Sequence, residues 1–336
     1  KLDSAYNDLA DSSSPKGSLT WASKMSENAG FVLGFTYAQK HVISQNNETG
    51  YGWSVADNGN EYMDDDFERR YYDLDRERVG LTLNFDYAPS DATTLFVRTL
   101  FNEYTDDEVR YKGEFKTEDR VEVRQIKAYS IGGDTSYSNG WNANYELGYS
   151  FAEEDDSDNV DVAFRNKYRS DTDAVGIVSW ADKYKPTTTL VGGFAPLSDY
   201  ALDGVEFEKS VVQDSEVSMH ADFEKDMDVF NIPSTVKFGF KYRSREKEVD
   251  ANVYVAEPDV TLADFQTISP NHAFVDDFGP FIERGASRQL EQYFATSELD
   301  EEGSIAGDFV TNEDILALYG MASMDYTDNL RVVAGL

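Results

Sequence analysis

The sequence predicts an all-β fold, a transmembrane antiparallel β-barrel with long extracellular loops, on three observations. Apolar and polar residues alternate in paired stretches. The pairs are joined by very short turns at one end and by long connections at the other. The strands also carry charge on the face opposite the apolar one. The alternation is clearest in Val79-Gly-Leu-Thr-Leu-Asn-Phe-Asp-Tyr87, where Leu81, Leu83, Phe85 and Tyr87 share one face and Thr82, Asn84 and Asp86 the other. A period of two is the strand period. A soluble sandwich would turn the apolar face to a second sheet. An outer-membrane barrel turns it to lipid and lines a lumen with the polar face.

The pairs follow in order. Residues 17–25 read as a strand, Ser26-Glu-Asn-Ala29 as a turn, and 30–37 onward as the partner. The second pair, 79–87 and 94–101, turns at Pro89-Ser-Asp-Ala92. The third turns at Ser138-Asn-Gly140 between 121–137 and 141–151, and Asn-Gly is a strong hairpin signal. The fourth joins 216–225 to 235–242 through 226–233. The fifth joins 315–326 to 330–336 at Thr327-Asp-Asn329. Segments near 30–43, 78–88, 93–105, 141–151, 234–245 and 314–326 are expected to be antiparallel strands paired with their sequence neighbours. Leu81, Leu83, Phe85, Val236, Phe238 and Phe240 are expected to face lipid.

At the other end the connections are long: 44–70, 107–118, 152–214 and 251–312. Long loops without a core of their own are uncommon in compact domains, and a sandwich has no reason to sort its loops by end. Outer-membrane barrels do, with short periplasmic turns and long extracellular loops. In 236–243, Lys237, Lys241 and Arg243 oppose Val236, Phe238, Phe240 and Tyr242. A packed interior would need a partner for each charge; a hydrated lumen needs none. Tyr87, Tyr149, Tyr242 and Tyr326 stand near strand ends, where aromatic girdles belong.

Composition agrees. Across 336 residues, 40% hydrophobic and 14% aromatic, there is no linker-like break and no apolar run long enough for a transmembrane helix. The mean hydropathy of −0.56 excludes a helical membrane protein only. Cysteine is absent, which excludes disulfides and thiolate chemistry. A net charge of −34 excludes nucleic-acid binding, which needs Lys and Arg on phosphates. The acids cluster between strand pairs, as in 64–66, 106–108, 153–156 and 298–302. Solvated, self-repelling loops are one reading. Cation bridging, within loops or to lipopolysaccharide, is the other. Asp155, Asp156 and Asp158, with Asp161, offer calcium oxygens without the EF-hand spacing. No other cofactor is expected, and His41, His220 and His272 lack ligand spacing.

Residues 72–108, with Arg76-Glu-Arg-Val-Gly-Leu-Thr-Leu-Asn-Phe-Asp-Tyr87 at their centre, resemble the barrel of TonB-dependent receptors. The proteobacterial subgroup associated with carbohydrates and other complex nutrients is nearest. Val236-Lys-Phe-Gly-Phe-Lys-Tyr-Arg-Ser-Arg-Glu-Lys-Glu248, Asn312-Glu-Asp-Ile-Leu-Ala-Leu-Tyr-Gly-Met-Ala-Ser-Met324 and Asn329-Leu-Arg-Val-Val-Ala-Gly-Leu336 agree, in the right order. The resemblance implies a bacterial outer-membrane location, a TonB box, a plug, a barrel of about 22 strands, and coupling to TonB, ExbB and ExbD. No signal peptide, TonB box or plug is read here, and Leu336 is not the closing aromatic residue of such barrels. Residues 1–336 are therefore expected to be a partial barrel of about ten strands, or twelve if 160–184 forms a hairpin, with the plug and C-terminal strands outside them.

Catalytic motifs are missing: there is no Gly-x-Ser-x-Gly, no His-Glu-x-x-His and no phosphate loop, so no enzyme activity is expected. Two non-enzyme readings remain. One is a TonB-coupled importer of a scarce nutrient. The other is a passive porin, or a structural or adhesive barrel with acidic, cation-binding loops. Several long loops favour the importer. Tyr51, Trp53, Tyr62, Phe274, Phe278, Phe281 and Tyr293 are the candidate substrate-binding aromatics, since ring faces stack on sugars; the other reading is that they pack the loops together. Residues 251–312 hold twelve acidic residues against Arg284 and Arg288. That field repels an anionic ferric siderophore and admits a neutral oligosaccharide or a cationic peptide. Short helices are expected at 261–266 and 287–294, the latter capped by Ser287.

Overall fold

The computed structural model describes residues 1–49, 53–63, 67–113, 116–166, 176–179, 181–182, 187–190, 193–273, 279–305 and 307–336. Eleven strands run in order through one twelve-stranded sheet: β1 (Leu2–Asn7), β2 (Ser12–Ser26), β3 (Ala29–Thr49), β4 (Phe67–Ser90), β5 (Thr93–Lys112), β6 (Lys116–Ser136), β7 (Trp141–Arg165), β8 (Ala201–Val229), β9 (Ile232–Ala256), β10 (Phe309–Thr327) and β11 (Leu330–Gly335), and the two-residue strand Glu298–Leu299 pairs with the end of β9. Each pairs antiparallel with the next in sequence, an up-and-down meander. The predicted segments all fall within these strands.

Register makes the alternation two-dimensional. Phe31, Phe85, Val97, Ile131, Leu147, Met219, Tyr242 and Leu316 are successive cross-strand partners from β3 to β10. Trp21, Leu33, Leu83, Thr99, Tyr129, Tyr149 and Val217 form the neighbouring row. This outer face is open: Leu83 is 44% exposed and Ile131 57%. The six residues expected to face lipid all lie on it, and among the described residues no second sheet covers them. The inner face is polar, with Asn84, Arg98, Ser130, Gly148, Ser218 and Arg243 in one row. An apolar outer lattice over a polar inner one is the wall of an outer-membrane β-barrel. Among the described residues no helix is long and apolar enough to cross a membrane.

Turns at one end are short throughout. Asn139–Gly140 closes β6–β7, with Gly140 at φ 84°. The β8–β9 connection, read from sequence as 226–233, is only Phe230–Asn231, both at positive φ (54° and 62°). Two positive φ values are the mirror-image turn that suits strand twist.

The strands outrun their predicted lengths at the other end. Crossing a membrane takes about 9–11 residues; β8 has 29. The expected long loop at 107–118 is instead a tight connection between Lys112 and Lys116. Acidic residues that read as loop alternate in and out of the ladder, because beyond the membrane both faces of a strand can be wet. The remaining long connections shrink to 50–66, 166–200 and 257–308. The expected hairpin at 160–184 does not form as such. Residues 160–165 continue β7, and Gly176–Ser179 pairs with Thr187–Leu190 in a separate small sheet.

The core sits in this upper, extramembrane wall. Val160, Val162, Phe164, Val205, Phe207 and Ala256 are buried under Leu262, Ile282, Ala286 and Leu290 of the 257–308 connection. Residues 262–264 and 288–296 are 3-10 helices and Arg284–Ser287 one α-turn. Short helices thus occur where composition predicted them. Ser287 stands at the N-cap position of 288–296 but makes no capping bond: its backbone is helical, and its hydroxyl donates to the Arg284 carbonyl at 2.6 Å.

Candidate functional site

The 257–308 connection is a strap laid across the upper wall. Its side follows from register. No shift interrupts β5 between Val97 and Val109, nor β8 between Met219 and Phe207, so Val109, Tyr111 and Phe207 share the outer face with the apolar band. On β7 a register shift pairs Asp156 with Ser210 but Asn159 with Glu208, adding one residue to β7. Such a bulge reverses the alternation beyond it. Val160, Val162 and Phe164 therefore also face outward, beneath the strap.

Two arginines latch the strap. Asp119 on β6 is 0% exposed. Arg288 donates to its Oδ1 at 2.8 Å, and Arg284 lies 3.4 Å from the same oxygen. Arg284 also pairs with Asp107, and Arg288 with Asp158 at 2.5 Å and Glu291 at 3.0 Å. Burial disfavours the charge on Arg288, but hydrogen bonds to Asp119 and Glu291 outweigh it and raise the pKa. At the far end, Gln45 donates to the Asn271 carbonyl at 2.7 Å and accepts from the Ala273 amide at 2.9 Å. His272 Nε2 meets the Arg70 carbonyl at 3.1 Å, and burial lowers its pKa, so the neutral ring donates there.

The inner face of the same upper wall carries an ionic ladder. Arg76 pairs with Asp106 at 2.9 Å, and Arg110 pairs with Glu118. Arg120 stands 3.5–3.8 Å from Glu122, Asp156 and Glu108. Arg124 bridges Glu122 and Glu154, the latter at 2.8 Å. Toward β8 the ladder turns acidic: Asp161 faces Glu206 across the strands, and Asn159 donates to Glu208 at 3.3 Å. Burial raises the carboxyl of Asp156 to about 6 and also raises that of Glu122, despite Arg120 beside both. Chemically this is a wall of mostly buried carboxylates paired with guanidinium groups, and its exposed members, Arg124 and Glu154, are suited to hydroxyl-rich or cationic ligands.

The predicted aromatics divide. Phe281 is fully buried against Tyr111, ring centroids 5.3 Å apart, and leaves no face for a ligand. Tyr293 packs against the strap core, Phe294 stacks edge-on to Phe207 and Tyr254, and Phe265 meets Phe164. For Phe281 the packing reading therefore replaces ligand stacking, and Tyr293 is half-buried against the same core. They come from an apolar strap face that must be buried somewhere, and the upper wall buries it. Trp53 and Tyr62 stand on opposite strands of a small hairpin, Trp53–Val55 with Glu61–Met63; their side chains, like Tyr51, Phe274 and Phe278, lie outside the described residues. Asp155, Asp156 and Asp158 do not converge. Asp155 accepts from the Ser157 amide at 3.0 Å, Asp156 faces Arg120 on the inner side, and Asp158 is held by Arg288 under the strap. The histidines are equally dispersed, with His41 on Asp73 and His220 on Asn144.

Sequence reasoning missed Asp119, Asp107 and the inner ladder. The ladder's signal was present, acids and basic residues alternating at period two on the even positions through 106–124; Asp107 and Asp119 lie off that alternation.

No protein-family profile matches the chain, and no curated protein does. Among solved structures, the crystal structure of the ferric yersiniabactin uptake receptor FyuA from Yersinia pestis is similar at 8% identity and a TM-score of 0.46, over all of this chain and 40% of that one. The chain thus spans about 40% of that receptor's length.

Proposed function

We propose that the chain is part of the barrel of an energised outer-membrane receptor that imports a scarce nutrient, an oligosaccharide, through TonB, ExbB and ExbD. The two-faced wall carries the reading: a cross-strand lattice of apolar residues outside and a charged, hydrogen-bonded ladder inside, with the long connections gathered at one end. A lipid-facing surface needs the first, a hydrated conduit the second. Charge favours a neutral or cationic cargo. Both arginines of the strap are consumed by Asp107, Asp119 and Asp158. The inner wall toward β8 presents Asp161, Glu206 and Glu208. An anion entering there meets repulsion. Trp53 and Tyr62 on their hairpin are the aromatics proposed to meet the sugar.

Uptake of labelled oligosaccharide by cells carrying or lacking the gene tests this. Gene-dependent uptake that collapses with a protonophore is the expected result. Uptake that survives the protonophore would make the protein a passive pore. Gene-dependent uptake of a ferric siderophore alone would overturn the cargo.

A further inference from the structure

On the outer face, within the apolar band, lies a hollow of about 540 Å³ lined chiefly by Phe85, Val97, Ile131, Leu147, Met219 and Phe240. It forms beside a glycine pair in mid-strand. Leu95 and Tyr145 lean over Gly133, where a Cβ would stand 2.8 Å from Leu95 Cδ2 and 3.0 Å from Tyr145 Oη. Glycine inside a strand marks a place where something approaches the backbone closely. Here two neighbouring side chains do, and the hollow opens past them. Its lining residues are cross-strand neighbours in the lipid-facing rows, so the hollow is reached from the membrane side.

Toward the short turns the same face changes character. Below Ala221 and Tyr145 come Phe223 and Ala143, then Lys225 opposite Trp141. The Lys225 ammonium lies over the Trp141 ring, 5.7 Å from its centroid, and Trp141 meets Phe238 edge-on at 5.4 Å. A tryptophan and a snorkelling lysine mark the level of lipid headgroups. Lys225 stands four residues along β8 from Ala221, about 13 Å at strand rise.

We infer that this face holds one ordered phospholipid of the leaflet on the short-turn side, an acyl chain in the hollow and its phosphate at Lys225. The inference rests on the outer-membrane reading proposed above. The apolar lining requires a chain as apolar as the bilayer, and the single cation at interface depth requires an anionic head. The nearness of the short turns selects a glycerophospholipid over lipopolysaccharide.

The test uses the full-length protein extracted from membranes in mild detergent, with retained lipid counted by native mass spectrometry. Wild-type protein is expected to keep a phospholipid through washing. Ala221→Phe, which fills the hollow from a lipid-facing position, is expected to lose it. Lys225→Met is expected to lower retention of phosphatidylglycerol about fivefold while sparing uncharged lipids. Heat-modifiable gel mobility confirms that both variants fold. Retention equal in wild type and Ala221→Phe, or co-purification of lipopolysaccharide alone, refutes the site. Quenching of Trp21 by brominated phospholipid separates the two ideas, because Trp21 lies on the apolar face away from the hollow. If Trp21 is quenched but Ala221→Phe keeps its lipid, only the site fails. If Trp21 is not quenched, the membrane reading fails with it.

Discussion

Asp119 is the residue on which the strap hangs. Its carboxylate is fully buried, and taking a charge out of water costs several kcal/mol unless partners restore it. Arg288 and Arg284 do so from one helical turn of the strap. Arg288→Ala leaves Asp119 with the longer Arg284 contact alone. It is expected to cost about 3 kcal/mol of local stability and to raise hydrogen exchange through 281–296 while β6 amides stay protected; unchanged exchange there would show that the apolar contacts alone hold the strap. Asp156 makes the opposite case. Its carboxyl, at about 6 in the folded wall, is raised above an unfolded value near 3.9. Such a group adds stability that is fully present below pH 4 and is lost as pH rises through 6. Asp156→Asn is therefore expected to flatten the pH dependence of thermal stability between pH 4 and 7, by an amount of order 2 kcal/mol. A curve of unaltered slope would place the titration elsewhere in the ladder.

At the scale of the element, each strand is two half-strands with different surroundings. Within the membrane the pleat sorts residues by face, and this can be tested directly because the chain has no cysteine of its own. Leu147→Cys is expected to resist a water-soluble maleimide, whereas Ser150→Cys, on the inner face of the same β7, is expected to react. Equal labelling would mean that the two faces share one solvent. The distinction in burden is energetic too: Leu147→Arg should cost about 2–4 kcal/mol if it lies near the bilayer midplane, while Ser150→Arg faces water. These membrane halves were legible in the sequence, since Leu81, Leu83 and Phe85 announce their face by period two alone and Asn139–Gly140 announces its turn. The upper halves were not. From Glu103 to Glu108 the residues are mostly polar on both faces, and a strand wet on both sides has no apolar period to read. The one-residue bulge of β7 shows only in register, so the outward turn of Val160 and Val162 could not be foreseen. The Arg288–Asp119 latch joins residues 169 positions apart, a contact set by sheet order rather than by any local motif. Phe281 looked like a ligand aromatic because composition cannot say which side of a loop faces the wall.

For the whole molecule the governing fact is that the sheet has an apolar outer face and two lateral edges. β1 pairs with β2 alone and β11 with β10 alone among the described residues. Leu316, Leu318 and Val333 near the second edge are 59–72% exposed. Unpaired strand edges template association in water and are not tolerated in lipid. A surface with Trp21, Leu83, Ile131, Leu147 and Leu318 in continuous rows far exceeds the isolated apolar patches that soluble monomers carry. The strap adds a real core to the upper wall, but that core covers only the extramembrane half and leaves the band bare. Residues 1–336 expressed alone in water should therefore aggregate or require detergent, even with the strap intact. Size-exclusion chromatography with light scattering, followed by calorimetry, checks this without detergent. A monodisperse monomer with one cooperative thermal transition would mean that the outer rows are buried in solution. The barrel-wall reading, and the importer and lipid site built on it, would then fall together.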